Sequence, residues 1–356
     1  MALIEHSDRG LYCARGDFYI DPWKPVSRAV ITHAHSDHAR PGNDHYLCHT
    51  DSVPLLRLRL GEVSCQGLPW NESISINGVT VSLHPAGHII GSSQVRVAYQ
   101  GEVWVVSGDY KLENDGISGA FEPVPCHTFV TESTFGLPLY RWKPEREVFA
   151  TVEHWIRRNQ AEGLTTVLFA YSLGKAQRVI RQLGGLGIPL FAHGAVWNVQ
   201  ETLRTAGWDL PPVEWVTPDT PKERYKGQVV IAPPSADDSP WLRKFIPYSL
   251  GVFSGWMQVR GNVRRRNADA GFVLSDHADW DGLLTAVRAT GAAQVLVTHG
   301  FQAAFSRYLT EREGLQAAEV ETAFGGEEEG GAPGDEAAPG PTAGEAPDDS
   351  LASTES

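Results

Sequence analysis

The segment that decides the fold is VITHAHSDH, residues 30–38, where an apolar β-branched run ends in three histidines and an aspartate. In a tight loop after a strand, His33 and His35 can bind one metal ion, and Asp37 with His38, turned the other way, can bind a second. Imidazole nitrogen with carboxylate oxygen suits Zn²⁺, or Mn²⁺ as the next choice. A solvated polar loop is the alternative, but a buried structural network is disfavoured because each imidazole needs its own polar partner.

The same arrangement recurs along the chain, since five apolar runs end in a potential ligand or acid–base residue. These residues are His33, Asp109, Glu132, His277 and His299. Strand ends on one edge of a layered sheet converge on a common crevice, where rigid backbone can hold a site in place. We therefore expect the five side chains to share one site.

Short β-branched runs alternate with loops and a few helical patterns, which predicts a layered α/β or α+β fold. The predicted strands are 29–32, 79–83, 94–98, 103–107, 129–131, 166–169, 229–232, 272–275 and 295–298. Helices are predicted at 145–159, 175–183 and 280–289, the first with apolar residues along one face.

The composition describes an ordinary globular chain of 356 residues, enough for one large or two modest domains. Of the net charge of −13, nine acidic residues lie in residues 325–356, which we expect to form a disordered acidic tail. The rest is near neutral, so net charge neither supports nor excludes nucleic-acid binding. No apolar run is long enough for a membrane span, no secretion signal opens the chain, and the four cysteines form no CxxC. A reduced, cytoplasmic protein is expected.

The HxHxDH motif after a hydrophobic strand resembles the metallo-β-lactamase superfamily. His88, within PAGHIIGS at 85–92, matches the next metal histidine of that superfamily, and Asp109, within SGDY at 107–110, matches its bridging carboxylate. The resemblance implies that His33, His35 and His88 hold one metal, while Asp37, His38 and the late histidine His299 hold the other. The implied cofactors are two Zn²⁺ ions, with Mn²⁺ possible.

Further motifs are similar to those of the β-CASP nucleases: TESTFG at 131–136, SDHAD at 275–279 and VTHG at 297–300. LFAYSLGKAQ at 168–177 and VIAPPS at 230–235 look like parts of the β-CASP cap. The resemblance implies an α+β sandwich of αββα type, the metallo-β-lactamase fold. Its body would comprise residues 1–136 and 269–324, interrupted by an α/β cap at 137–268.

Within that family, YIDPWKPV at 19–26, EPVPC at 122–126 and FGLP at 135–138 resemble the bacterial ligase-associated DNA damage response exonuclease group. The resemblance implies a two-metal phosphodiesterase, a DNA exonuclease in repair acting on single-stranded DNA, with DNA ligase or helicase partners and no membrane. The alternative is a ribonuclease or RNA 3′-end processing enzyme, because His299 stands where RNA-processing members carry histidine. A small-ester or lactam hydrolase and a silent nucleic-acid-binding scaffold are weaker alternatives.

The catalytic roles implied are those of Asp37, Glu132 and His277. His277 is the candidate general acid for the leaving sugar oxygen, oriented by Glu132. The other assignment has Asp37 assisting proton removal from the attacking water. Cations at Lys175, Arg178, Arg181, Arg260 and 264–266 either contact phosphates or form a solvated face.

Overall fold

The computed structural model describes residues 2–259, 261–262, 267–320 and 322. The strands of this part, in chain order, are β1 (Glu5–His6), β2 (Leu11–Cys13), β3 (Phe18–Ile20), β4 (Arg28–Val30), β5 (His45–His49), β6 (Cys65–Leu68), β7 (Ser73–Ile76), β8 (Val79–Pro85), β9 (Ser93–Tyr99), β10 (Glu102–Val106), β11 (Thr128–Ser133), β12 (Thr165–Phe169), β13 (Leu190–Ala192), β14 (Glu214–Trp215), β15 (Val229–Ala232), β16 (Tyr248–Phe253), β17 (Ala270–Phe272), β18 (Gln294–Gly300) and β19 (Gln316–Glu319). The helices are α1 (Val53–Leu60), α2 (Glu145–Ala161), α3 (Lys175–Gly184), α4 (Gly194–Thr205), α5 (Trp280–Thr290) and α6 (Gln302–Glu313). The tail predicted to be disordered, residues 325–356, lies outside the described residues.

Two sheets pack face to face and form the larger part of the molecule. The first has the order β1-β2-β3-β4-β5-β6, and the second β19-β18-β11-β10-β9-β8-β7. Their shared core joins Phe18, Ile20 and Val30 of the first sheet to Val95 and Val130 of the second. Alternating burial along the strands places one face of each sheet in this core.

Helices cover the outer faces of both sheets. On the first sheet, Leu55 and Leu56 of α1 pack against Ile31 and Tyr46. On the second, α5 and α6 pack against Val105, Phe129 and Val297. The layers therefore run helix, sheet, sheet, helix, because each sheet must bury its second apolar face as well.

A third sheet, built from residues 165–272, is parallel throughout, with the order β14-β13-β15-β12-β16-β17. Its central strands β12 and β15 are buried on both faces, as expected for a parallel sheet flanked by helices. Helix α2 packs on one side through Val152 and Ile156. In the described residues no helix is long and apolar enough to cross a membrane.

The strand predicted at 272–275 is wrong in its position. The strand ends at Phe272, and the carbonyl of Ser275 accepts a hydrogen bond of 2.6 Å from the Arg178 side chain. A side-chain donor thus replaces the neighbouring strand as the partner of this backbone. The helices predicted at 145–159, 175–183 and 280–289 are present, each one or two residues longer at the carboxyl end.

Candidate metal centre

The candidate ligands come from both facing sheets and meet at one edge. The loop after β4 carries the four residues of the HxHxDH motif. His88 follows β8, Asp109 follows β10, and His299 lies near the end of β18. Strands far apart in sequence thus bring seven predicted ligands into one region, six of them in groups able to hold a metal ion.

A first group consists of His33, His35, His88 and Asp109. The Nε2 atom of His88 lies 3.1 Å from Nδ1 of His35. Oδ2 of Asp109 lies 3.5 Å from Nε2 of His33 and 3.8 Å from Nε2 of His88. Three imidazole nitrogens and one carboxylate oxygen therefore face a common point, a donor set typical of Zn²⁺.

A second group consists of His38, His299 and the same Asp109. Nε2 of His38 lies 3.5 Å from Oδ2 of Asp109, and Nε2 of His299 lies 3.1 Å from Oδ1. Asp37 sits at the margin of this group, with Oδ2 3.6 Å from Nε2 of His38 and the side chain 29% exposed. One carboxylate thus touches both groups, as a bridging ligand would.

The charge states of three of these residues, His33, His88 and Asp109, fit a cation. Burial, with the neighbouring histidines, lowers the pKa of His33 far below its ordinary value and that of His88 to about 3, so both rings are neutral and able to ligate. Burial raises the pKa of Asp109, but His38 and His299 lower it further, leaving the carboxylate ionised. Nε2 of His33 is buried and has no hydrogen-bond partner among the described residues. Such an atom is costly unless something binds it, and a metal ion fits this donor set.

A further residue, Asp21, completes the site and was not among the predicted functional residues. Its carboxylate accepts hydrogen bonds from the backbone and hydroxyl of Thr32 and lies 2.7 Å from Nδ1 of His38. The Thr32 hydroxyl in turn lies 3.0 Å from Nδ1 of His33. Contacts of this kind fix the tautomer and orientation of metal-binding histidines. The signal was present, because Asp21 also follows an apolar strand, β3.

Glu132 and His277 form a buried pair beside the first group. Oε2 of Glu132 lies 2.9 Å from Nδ1 of His277, and Oε1 accepts a hydrogen bond from the backbone of Tyr110. The ring of His277 lies 4.6 Å from that of His88. A carboxylate bonded to one ring nitrogen orients the imidazole. The two residues also form a third group with Asp109 that could hold a metal ion.

The cations for which phosphate contacts and a solvated face were the two alternatives are arranged differently. Lys175 and Arg178 are buried and paired with carboxylates, so both alternatives are wrong for these two residues. Arg181, on the same helix, is exposed. Arg260 and residues 264–266 lie outside the described residues.

The chain is similar in sequence to several known proteins. It is 32% identical over 312 residues to a probable DNA ligase of Opitutus terrae, a match covering 86% of this chain and 30% of that protein. It is 26% identical over 135 residues to the endoribonuclease YSH1 of Eremothecium gossypii, covering 34% of this chain and 17% of the relative. It is 27% identical over 133 residues to the transcription termination factor FttA of Thermococcus kodakarensis, covering 34% of this chain and 20% of that relative. The chain thus spans less than a third of the length of each of these relatives.

Among solved structures, a protein of unknown function from Enterococcus faecalis V583 superposes with a TM-score of 0.55 at 11% identity. The match covers 76% of this chain and 74% of the other, and it shows a shared fold alone. No protein-family model matches the sequence.

Proposed function

The chain belongs to the β-CASP family of metallo-β-lactamase nucleases, and we propose that it is a metal-dependent phosphodiesterase acting on nucleic acid. The observation that carries the proposal is the pairing of two metal-binding groups through one carboxylate, Asp109, with the Glu132–His277 pair alongside. A hydrolase of small esters would not need that second pair.

Seven residues would hold the metal ions: His33, His35 and His88 in one group, Asp37, His38 and His299 in the other, and Asp109 between them. Divalent ions bound there, Zn²⁺ or else Mn²⁺, would lower the pKa of a water molecule and offset negative charge on the phosphate oxygens. Asp109 sets the spacing of the two groups, because each of its oxygens faces a histidine.

The protein's own acid–base residue in this reaction is His277. With Nδ1 held by Glu132, Nε2 is the ring nitrogen that delivers a proton to the leaving sugar oxygen. Asp37 is the other candidate for proton transfer, because it is the most exposed carboxylate of the centre and can accept a proton from the attacking water.

We also propose the finer architecture implied by the family. The two facing sheets and the helices outside them form four layers, which correspond to an αββα metallo-β-lactamase body, residues 1–136 and 269–324. The parallel sheet and its helices correspond to the inserted β-CASP cap, predicted at residues 137–268, although β17 (Ala270–Phe272) pairs in this sheet and extends it past that boundary. The chain passes between body and cap a few residues after Glu132 and a few residues before His277, which supports a substrate path between the lobes.

The favoured substrate is single-stranded DNA, degraded from an end during repair. Support comes from the relative named as a probable DNA ligase, which matches 86% of this chain. Because the match covers only 30% of that relative, we infer that this nuclease acts in company with a ligase, and a helicase is a second candidate partner. The second candidate function is RNA cleavage, supported by relatives named endoribonuclease and by His299 in the centre.

A cleavage assay tests these proposals on matched single-stranded DNA and RNA, labelled at either end, with Zn²⁺ or Mn²⁺. Stepwise shortening of DNA supports the repair exonuclease and gives its polarity. Preference for RNA favours the second function, and no cleavage of either contradicts both. The Asp37→Ala protein, which should be inactive, controls for contaminating nuclease.

A further inference from the structure

The turn between β12 and α3, residues 170–174 (the cap turn), reaches the first metal group from the opposite lobe. The carbonyl of Leu173 lies 3.1 Å from Nε2 of His35 and accepts its proton. That bond leaves Nδ1 of His35 as the ligating atom, and this is the nitrogen that faces His88. A backbone atom 138 residues away along the chain therefore sets the tautomer of one proposed ligand.

A second contact reaches His88 through Asp276. The carbonyl of Asp276 lies 2.8 Å from Nδ1 of His88. The carboxylate of Asp276 lies 3.4 Å from Nζ of Lys175 and 3.1 Å from Arg178, and all of these side chains are buried. Arg178 also bonds the carbonyl of Ser275 and both oxygens of Glu145. Two cations of α3 therefore clamp the segment whose carbonyl orients His88.

The cap turn is itself held closely and rigidly. Gly174 has φ +95°, and a Cβ atom there would lie 2.3 Å from Cγ2 of Ile89, next to His88. The Gln177 side chain accepts from the backbone of Gly174 and donates to the carbonyl of Ser172. The turn thus packs directly on the His88 loop, at a distance that admits only glycine.

The second metal group is held from another direction. Nδ1 of His38 lies 2.7 Å from the carboxylate of Asp21, which follows β3 of the first sheet. In the first group, Nδ1 of His33 is likewise held by Thr32, which follows β4 of the same sheet, whereas His35 and His88 are held by the carbonyls of Leu173 and Asp276. The groups therefore differ in these two histidines.

We propose that the cap turn and Lys175 are positioning elements for the first metal group, so that affinity there depends on docking of the cap while affinity in the second group does not. The inference rests on the proposed function, because it presumes that these groups hold metal. By linkage, a metal ion in the first group stabilises the docked cap by the same free energy that docking adds to metal affinity.

The test is a Zn²⁺ competition titration against a chromophoric chelator with Lys175→Met. Lys175→Met is combined with one of two background substitutions, which separate the groups. In the first background, His299→Ala removes a ligand of the second group and keeps the first group intact. In the second background, His35→Ala removes a ligand of the first group and keeps the second intact. We expect Lys175→Met to weaken Zn²⁺ binding about 10-fold or more in the first background, the usual effect of losing an outer contact, and to leave the second unchanged. Arg181→Met, on an exposed side chain of the same helix, is the matched control and should change neither affinity.

Conservative and backbone variants exclude a general loss of structure. Lys175→Arg keeps the charge and should restore most of the affinity. Gly174→Ala should weaken the first group as Lys175→Met does, with the circular dichroism of each metal-free protein retained. Equal weakening in both backgrounds, or no weakening in either, overturns the inference. A wild-type protein that binds no Zn²⁺ would instead refute the proposed function.

Discussion

Asp109 is the residue on which the candidate centre depends most. It is buried, ionised and in contact with histidines of both groups. An isolated buried carboxylate would be costly, so its retention here requires positive charge from histidines or from metal ions. Four of the histidines around Asp109 differ in role because the second ring nitrogen of each contacts a different partner.

His277 and the metal ligands can be separated by mutation. His277→Ala removes the proposed proton donor, and we expect turnover to fall by about 10²–10⁴-fold. The zinc content of the purified protein, measured by mass spectrometry, should equal that of the wild type. Loss of zinc would show that His277 is a ligand, and a full rate would show that another group supplies the proton.

Asp21 is expected to act through His38. Asp21→Asn keeps an oxygen for Thr32 but loses the negative charge beside the imidazole. We expect Zn²⁺ affinity of the second group to fall by about 10–100-fold, measured by chelator competition. Asp17→Asn is the control, because Asp17 is an exposed carboxylate just before β3, whereas Asp21 lies just after that strand. Equal effects of the two substitutions would contradict the role given to Asp21.

At the scale of elements, the centre is positioned by strand ends and by the loops that follow them. The loop after β10 must pass close to Thr32 to bring Asp109 to the histidines. Gly108 makes this possible, since it has φ +57° and a Cβ atom there would lie 2.6 Å from Cβ of Thr32. Close approach of two backbone segments thus decides the position of the carboxylate shared by the two groups.

Gly108→Ala should therefore destabilise the protein beyond the cost of backbone strain. We expect the free energy of unfolding in urea to fall on the order of 2–4 kcal/mol, from the left-handed conformation together with overpacking against Thr32. Gly101→Ala, in the β9–β10 turn, has φ +88° but open space around its Cβ, so it reports the strain alone. Similar losses for both variants would exclude the proposed clash.

At the scale of the whole molecule, the free energy of unfolding depends on the protonation of buried histidines as well as on metal binding. His49 lies outside both metal groups, stacks on Trp70 and accepts a hydrogen bond from the backbone of Asp51. Burial lowers the pKa of His49 to about 4. The unfolded chain, with a histidine pKa near 6.5, therefore binds more protons than the folded chain between these values.

The stability of the metal-free protein should accordingly contain a contribution from His49 that is present above pH 6.5 and is lost as the pH falls toward 4. Urea unfolding at several pH values measures it. His49→Asn keeps a capping oxygen but cannot titrate, so its stability should depend less on pH across this window. An unchanged pH slope would contradict the proposed burial of the neutral ring.

Much of the site could be predicted from the order of residues along the chain. Metal ligands and strand ends are local features: an apolar β-branched run followed by histidine or aspartate is visible within ten residues. The mixed α/β class and the helices beginning at Glu145, Lys175 and Trp280 follow from local periodicity for the same reason. Family membership followed from the order of these motifs.

Only the tertiary structure decided which of these residues act together. It added Asp21 behind His38 and brought the carbonyl of Leu173 to His35. It also buried Lys175 and Arg178 against Asp276, where their place on a helix had suggested either contacts with phosphate or a solvated face. The physical reason is that hydrogen bonds and ion pairs join atoms near in space, and burial makes them obligatory, whereas periodicity along a chain records only its nearest neighbours.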